Sequence, residues 1–543
     1  MKKYKILLTI AVIAGIATWF GSNFFKNKAM GKALDKTLIV CSIQKPSGFD
    51  IVQYADGDTI EVAAPIFDQL VAFKDGSTQI KPSLATHWKV SSDGLTYTFY
   101  LRRGVKFHTT DYFKPTRDFN ADDVVFTFER MRNPKHPFNM AYPAEFPYFF
   151  ALGMDKNLKK IVKVDPYTIQ FILKQSEGAF LQNIAMEFTS IYSAEYANQL
   201  LHQTKAAQIN QKPIGTGPFI FKSHIKDQQI RYGANKQYWN QSKEERAQIN
   251  QLIISTVTEG VVSSKKMLAG ECHLSHPRAI PTNEVEKFEQ NTQFIVHKQP
   301  GFQTSLLAYN TKKSILNNAK VRQALDMAID KAALIKIGKG FFTQAHNVMP
   351  PGQWSFDASI KNAPYDPVKA KALLKAAGYP NGFSLKFFIS LGQTPANDRI
   401  AAIIQADWRK IGVDAKLVSY TGGEFWKRAQ VGEHDVIFSI WAGDNGDPDN
   451  WLTTTLGCGS ASNFAKWCFK PFDSLINKAR YTTNQAERIR LYQAAQKIVR
   501  HEIPLSPLHH TQIFTIRSKR IKFYRNYIIP TVGADRYVGI TIH

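Results

Sequence analysis

The residues most able to do chemistry in this 543-residue chain are concentrated in DVIFSIWAGDNGDPDNW, Asp435 to Trp451. Four carboxylates, Asp435, Asp444, Asp447 and Asp449, fall inside it, in a chain with 69 Lys and Arg against 44 Asp and Glu. Such a group suits a cationic ligand, because charge-assisted hydrogen bonds are the strong ones. It does not suit calcium held as in an EF-hand. Counted from Asp444, the sixth position is Asp449 instead of glycine and the twelfth is Thr455 instead of glutamate. Composition alone reads DNGDPDN as a tight turn built from Asx and proline residues. No other segment carries a catalytic signature: G-x-S-x-G, H-E-x-x-H and a phosphate-binding loop are all missing from the sequence. Gly215-Thr216-Gly217-Pro218-Phe219 lacks the Lys-Ser/Thr that a phosphate loop needs, and the adjacent His509 and His510 are a poor metal site by themselves.

The elements that must carry the acidic segment follow from hydropathy patterning. Val436 to Trp441 is a run of β-branched and aromatic residues and reads as a buried strand that breaks at Gly443. A strand ending in a polar loop is where open α/β sheets place ligand-contacting groups. Around it the rear of the chain alternates helix and strand. Val321, Ala324, Leu325, Ala328 and Ile329 share one helical face, Asp366-Pro367 and Gly378 bracket a second helix, Ile400–Ile411 forms a third, and VDAKLVSY is a strand. A late helix spans Ala486–Val499, and Phe514–Phe523 returns to strand. The front is richer in strands. Thr37–Ile43 and LTYTFYL are strands, Val162–Leu173 is a β unit turning at Asp165-Pro166, and Asn120 caps the helix ADDVVFTFERM. The spacing of apolar residues predicts a helix over Ile60–Phe73.

The length calls for two or three domains. The net charge of +25 favours anionic surroundings, but the basic residues are scattered without a long run or a nucleic-acid motif. A solvated basic surface is the reading, with no nucleic-acid partner and no metal. Lys2, Lys3 and Lys5 precede the fifteen-residue apolar run Ile6–Phe20, so residues 1–33 read as an export signal or, uncleaved, an N-terminal anchor in the membrane. Cys41, Cys272, Cys458 and Cys468 are an even set in an exported chain and invite disulfides, with three pairings open on spacing alone.

Several blocks together resemble the large solute-binding proteins of ABC peptide importers, solute-binding family 5. They include LATHWKVSSDGLTYTFYLRRGVKFH, FKPTRDFNADDVVFTFER, PIGTGPF, YNTKKSILNNAKVRQALDMAIDK, YDPVKAKALLKAAGYPNGF, QADWRKIGV and GDNGDPDN. The resemblance runs from about Thr37 to the C-terminus and takes in haem-binding and antimicrobial-peptide-binding members. It implies an α/β fold, the type II periplasmic binding protein, with two hinged lobes and an extra β-rich domain. Lobe one would combine 37–75, 190–305 and 508–543, the extra domain 76–189, and lobe two 306–507. It implies the pairings Cys41–Cys272 and Cys458–Cys468, and no cofactor.

It further implies that Asp444 receives a peptide's α-ammonium group. Backbone contacts would come from Asp56, Gly57, Asp58 and Thr59 on one lobe and from Ile440, Trp441, Ala442 and Gly443 on the other, with Trp441 and Trp354 as candidate pocket walls. The implied function is that of a monomeric periplasmic receptor serving an inner-membrane ABC permease, and not an enzyme. Haem or antimicrobial peptides are the alternative ligands, and an exported peptide hydrolase the alternative of another class. The sequence departs from dipeptide binders at one point. Their carboxylate-holding arginine would fall near Leu391 in ISLGQTPAND, and Arg399 is no obvious replacement.

Overall fold

The computed structural model describes residues 36–390, 395–420, 422–524 and 534–543. The expected export segment and the position near Leu391 lie outside these residues. The central feature is an eleven-stranded mixed sheet. Its order runs Val413–Tyr420, Phe383–Ser390, Val436–Ala442, Phe294–Tyr309, Leu505–Ser518, Leu274–Ser275, Thr37–Ser42, Gln251–Thr256, Gln229–Ala234 and Phe219–Ile225, with Phe342–Gln344 paired to the side of Leu505–Ser518. The buried, β-branched cores of Thr37–Ser42 and Val436–Ala442 explain their central places, since both faces of a mixed sheet are covered by other elements.

Each half of the sheet has its own core. At one end a single cluster joins Leu38, Val40 and Ile254 to Phe99, Phe128 and Phe171. The last three belong to a four-stranded antiparallel sheet, ordered Ala85–Val90, Thr96–Leu101, Thr168–Leu173 and Leu158–Asp165, and to the helix Ala121–Arg132 that packs with it. The β-rich unit and this half of the large sheet therefore share one continuous core. At the other end two clusters cover opposite faces of Val436–Ala442, with Val436 and Phe438 in one and Ile437 in the other. This is the alternation that a strand's two-residue period demands.

Two long strands pass between the halves. Phe294–Tyr309 pairs regularly with Leu505–Ser518 from Phe294↔Ser518 to Pro300↔Gln512, shifts register, and resumes at Thr304↔His510. Gly301 sits in the break, where a Cβ would come within 2.5 Å of the Thr511 carbonyl oxygen. His509 and His510 lie beside this crossing and bond Ser305 (3.0 Å) and Thr304 (2.9 Å). Burial pushes them down to about 3 and about 4, so they are neutral strand residues. Cys41–Cys272 and Cys458–Cys468 are both bonded, as the family resemblance implies.

One predicted element is corrected. The helix expected over Ile60–Phe73 runs Gly57–Ala63, passes through a short 3-10 turn at Ala64–Ile66, and gives way to the strand Val71–Phe73, paired with Ile80–Pro82. Pro65 is the cause, because it has no backbone N–H to continue the helix. Among the described residues no helix is long and apolar enough to cross a membrane.

Candidate functional site

The Val436–Ala442 strand is paired along its length on one edge, from Tyr309↔Val436 to Gln303↔Ala442. On the other edge its neighbour Phe383–Ser390 meets it only at Val436 and Ile437. Among the described residues, the edge of Ser439, Ile440, Trp441 and Ala442 on that side has no backbone partner. An unpaired edge offers alternating N–H and C=O groups to an extended peptide, the geometry of β-strand addition.

The strand ends at Gly443, whose N–H donates to the Phe302 carbonyl (3.3 Å). A Cβ here would meet the Trp451 indole nitrogen and come within 2.8 Å of the Phe302 ring, so only glycine allows the approach. Asp444 follows. Its N–H donates to Asn450 Oδ1 (3.3 Å). Among the described residues its carboxylate accepts no hydrogen bond and faces no cation at ion-pair distance. The surrounding protein displaces water, which pushes the Asp444 carboxyl up to about 6. Burial, followed by the charge of Asp444, raises the Tyr148 hydroxyl on the helix Pro147–Ala151 of the β-rich unit. That placement sets the loop against both halves of the molecule. Asn445 reinforces it by donating to Asn183 Oδ1 (2.7 Å), and Gly446 (φ 65°) lies against Thr78.

Three residues further on, Asp447 is built differently. It caps the helix Pro448–Leu456 by accepting the Asp449 N–H (3.0 Å), with Pro448 at the first helical position. Arg488 donates to both its oxygens, at 2.7 and 2.8 Å, and spends a further N–H on the Gly178 carbonyl (3.2 Å) of the β-rich unit. Asp449 accepts from Thr453 (2.5 Å) and lies 3.6 Å from the Arg480 guanidinium. The Asx-proline reading of the loop therefore fits Asp447, while Asp444 is left outside it.

The remaining expected residues divide. Trp441 is partly buried at the end of the strand, and its indole nitrogen is enclosed without a hydrogen-bond partner among the described residues. Trp354 packs edge-on to Tyr492 with the Arg488 guanidinium 5.3 Å from its ring, so it belongs to the Asp447–Arg488 strut. Gly57, Asp58 and Thr59, expected to lend backbone contacts, form the first turn of the helix Gly57–Ala63. Asp56 caps that helix by accepting the Thr59 N–H (2.8 Å), Asp58 pairs with Arg278 (2.9 Å), and Thr59 Oγ1 accepts from Ser47 N–H (2.9 Å). The residues Asp-Gly-Asp-Thr start a helix because an aspartate N-cap and an acid in the first turn both satisfy its exposed N–H groups.

Tyr148, Asn183, Asn450, Phe302 and Arg488 were not foreseen. Of these only Asn450 had a local signal, as the amide three residues past the aspartate of an Asp-Pro helix start. No group of His, Cys, Asp and Glu among the described residues could hold a metal ion. Arg399 is exposed on the helix Pro395–Lys410.

The site can be set beside known proteins. The family model described as bacterial extracellular solute-binding proteins, family 5 middle, matches residues 79–463. A protein of Pseudomonas aeruginosa named di/tripeptide-binding protein 1 is 45% identical over 544 residues, covering 99% of this chain and 97% of its own. Heme-binding protein A of Haemophilus influenzae is 39% identical over 553 residues, covering 99% of each. The crystal structure of a dipeptide-binding protein from Pseudoalteromonas, in complex with Met-Leu, superposes with a TM-score of 0.78 at 33% identity, over 93% of this chain and all (100%) of that one.

Proposed function

The chain belongs to family 5 of the bacterial extracellular solute-binding proteins, and from that premise we propose that it captures short peptides outside the cytoplasm and presents them to an ABC permease. The observation that carries this is the Asp444 carboxylate, crowded by protein yet, among the described residues, without a cation or hydrogen-bond donor of its own, at the end of a strand whose far edge is open among those residues. A buried anion needs an opposite charge. An α-ammonium group supplies both the charge and three donors, while the edge from Ser439 to Ala442, open among the described residues, takes the peptide backbone without reading its side chains. Trp441 borders the same edge. Gly57 and Asp58 contribute N–H groups of a helix start, while that of Thr59 is taken by the Asp56 cap.

Lobe one, with the β-rich unit, and lobe two close on the ligand about the crossing at Pro300–Thr304, and the receptor acts as a monomer. Residues 1–33 direct export to the periplasm. The reading is of a binding protein and not a hydrolase, since Asp444 has no nucleophile or base bonded to it among the described residues. Titration calorimetry with Ala-Ala on wild type and Asp444→Ala tests it. Loss of binding in a variant that unfolds like wild type supports the reading, and equal affinity refutes it. The haem-binding relative motivates a second reading, tested by a Soret band in the purified protein. Free amino acids released from peptides on incubation would favour the hydrolase.

A further inference from the structure

Next to the acidic loop lies a cavity of about 590 Å³ between the β-rich unit and the rear half of the molecule. Its size is that of a small-ligand compartment. Its wall is shared with the Asp444 site at three places. Asn450, whose carbonyl oxygen holds the Asp444 N–H, lines it; so do Asn445 and its partner Asn183; and Leu152 lines it one helical turn from Tyr148, whose hydroxyl feels the Asp444 charge.

The hydrogen-bond inventory of this cavity is one-sided. Three carboxylates line it, and each accepts at least one hydrogen bond from the protein. Glu177 accepts from Asn157 (2.8 Å) and Asn183 (3.0 Å), Asp473 from the Cys458 N–H (2.8 Å) and Asn477 (3.0 Å), and Asp449 from Thr453 (2.5 Å). The donors differ. The Arg480 guanidinium lies 3.6 Å from Asp449, beyond hydrogen-bond reach, and donates no hydrogen bond among the described residues. Lys156 has no partner there either. Asn450 is 6% exposed, and its amide NH2 is likewise unspent. Five guanidinium donors, an ammonium and a buried amide therefore border the same space without a hydrogen bond among the described residues, Arg480 being ion-paired at longer range with Asp449 Oδ2.

We propose that this cavity receives the side chain of the ligand's first residue and selects an acidic one, its carboxylate bonded by Arg480, Lys156 and the Asn450 amide. The inference rests on the peptide reading above, in which Asp444 fixes the ammonium beside the wall that the two sites share. Arg480 can present two parallel N–H groups to a carboxylate, a match that the amide of glutamine does not reproduce.

Calorimetry with Glu-Ala, its near-isosteric partner Gln-Ala, and Lys-Ala separates the two claims. Wild type is expected to prefer Glu-Ala over Gln-Ala by about tenfold or more, with Lys-Ala weakest. Arg480→Ala and the exposed Lys156→Gln should each shrink the Glu-Ala to Gln-Ala ratio toward one. The ratio is read within each variant, so a general loss of affinity does not mimic the effect. Equal affinity of wild type for Glu-Ala and Gln-Ala, or a ratio that survives both substitutions, overturns the compartment and leaves the peptide reading standing. Wild type that binds none of the three overturns both.

Discussion

Asp444 and Asp447 stand three residues apart in one acidic loop, and the protein treats them in opposite ways. Asp447 is fully enclosed and held by two oxygens on Arg488, with its backbone neighbourhood fixed by a helix start. Asp444 is crowded enough to be pushed up to about 6, yet the described residues give its carboxylate no partner. A paired buried carboxylate is a strut, and an unpaired one costs stability that only a function explains. The difference teaches that burial alone does not distinguish structure from site; the identity of the counter-charge does.

The comparison breaks first, and with the largest effect, at Arg488. Arg488→Ala strands the Asp447 carboxylate and should cost about 3–5 kcal/mol, read as a lowered midpoint in denaturant. A wild-type midpoint would put Asp447 and Asp444 in the same class. Next comes Asp444→Asn. The free protein should be no less stable than wild type, while peptide affinity falls by about 2–3 kcal/mol, roughly 30- to 150-fold.

The pH dependence is the third test, and its sign follows from the raised carboxyl. Asp444 contributes stability that is fully present below its unfolded value of about 3.9 and is lost as pH rises through about 6. The unliganded Asn variant should therefore gain on wild type as pH rises from 4 to 7. Ligand binding has the opposite slope, because the ammonium needs the carboxylate. Wild-type affinity should drop by about fivefold between pH 6 and pH 5, with the Asn variant flat. The smallest effect is expected at Asp58, whose pair with Arg278 is largely solvated. Asp58→Ala should shift stability by about 1 kcal/mol or less in thermal unfolding.

Much of this frame was legible in the residues themselves. The apolar run before Gly443, the Asn120 cap and the Asp366-Pro367 start are local chemistry, and the structure places a strand and two helices there. The loop's two faces were not legible, since Asp444 and Asp447 carry the same group in the same polar stretch. What separates them is Arg488, forty-one positions away from Asp447 on another helix. Trp354 was equally opaque: nothing in its proline-rich turn announces that the same arginine lies 5.3 Å from its ring. The conformation of Asp56 to Thr59 was hidden for another reason. A family motif names the residues but not the conformation, and an Asp-Gly-Asp-Thr sequence starts a helix as readily as it lends backbone to a ligand. The position near Leu391 stays with the sequence alone, outside the described residues.

The central claim is that Asp444 takes the ammonium group itself. Calorimetry of Ala-Ala and N-acetyl-Ala-Ala on wild type and on Asp444→Asn tests it as a double-mutant cycle. Blocking the amine should cost wild type roughly a hundredfold in affinity and the Asn variant only a few-fold. An equal loss in both proteins would contradict the account.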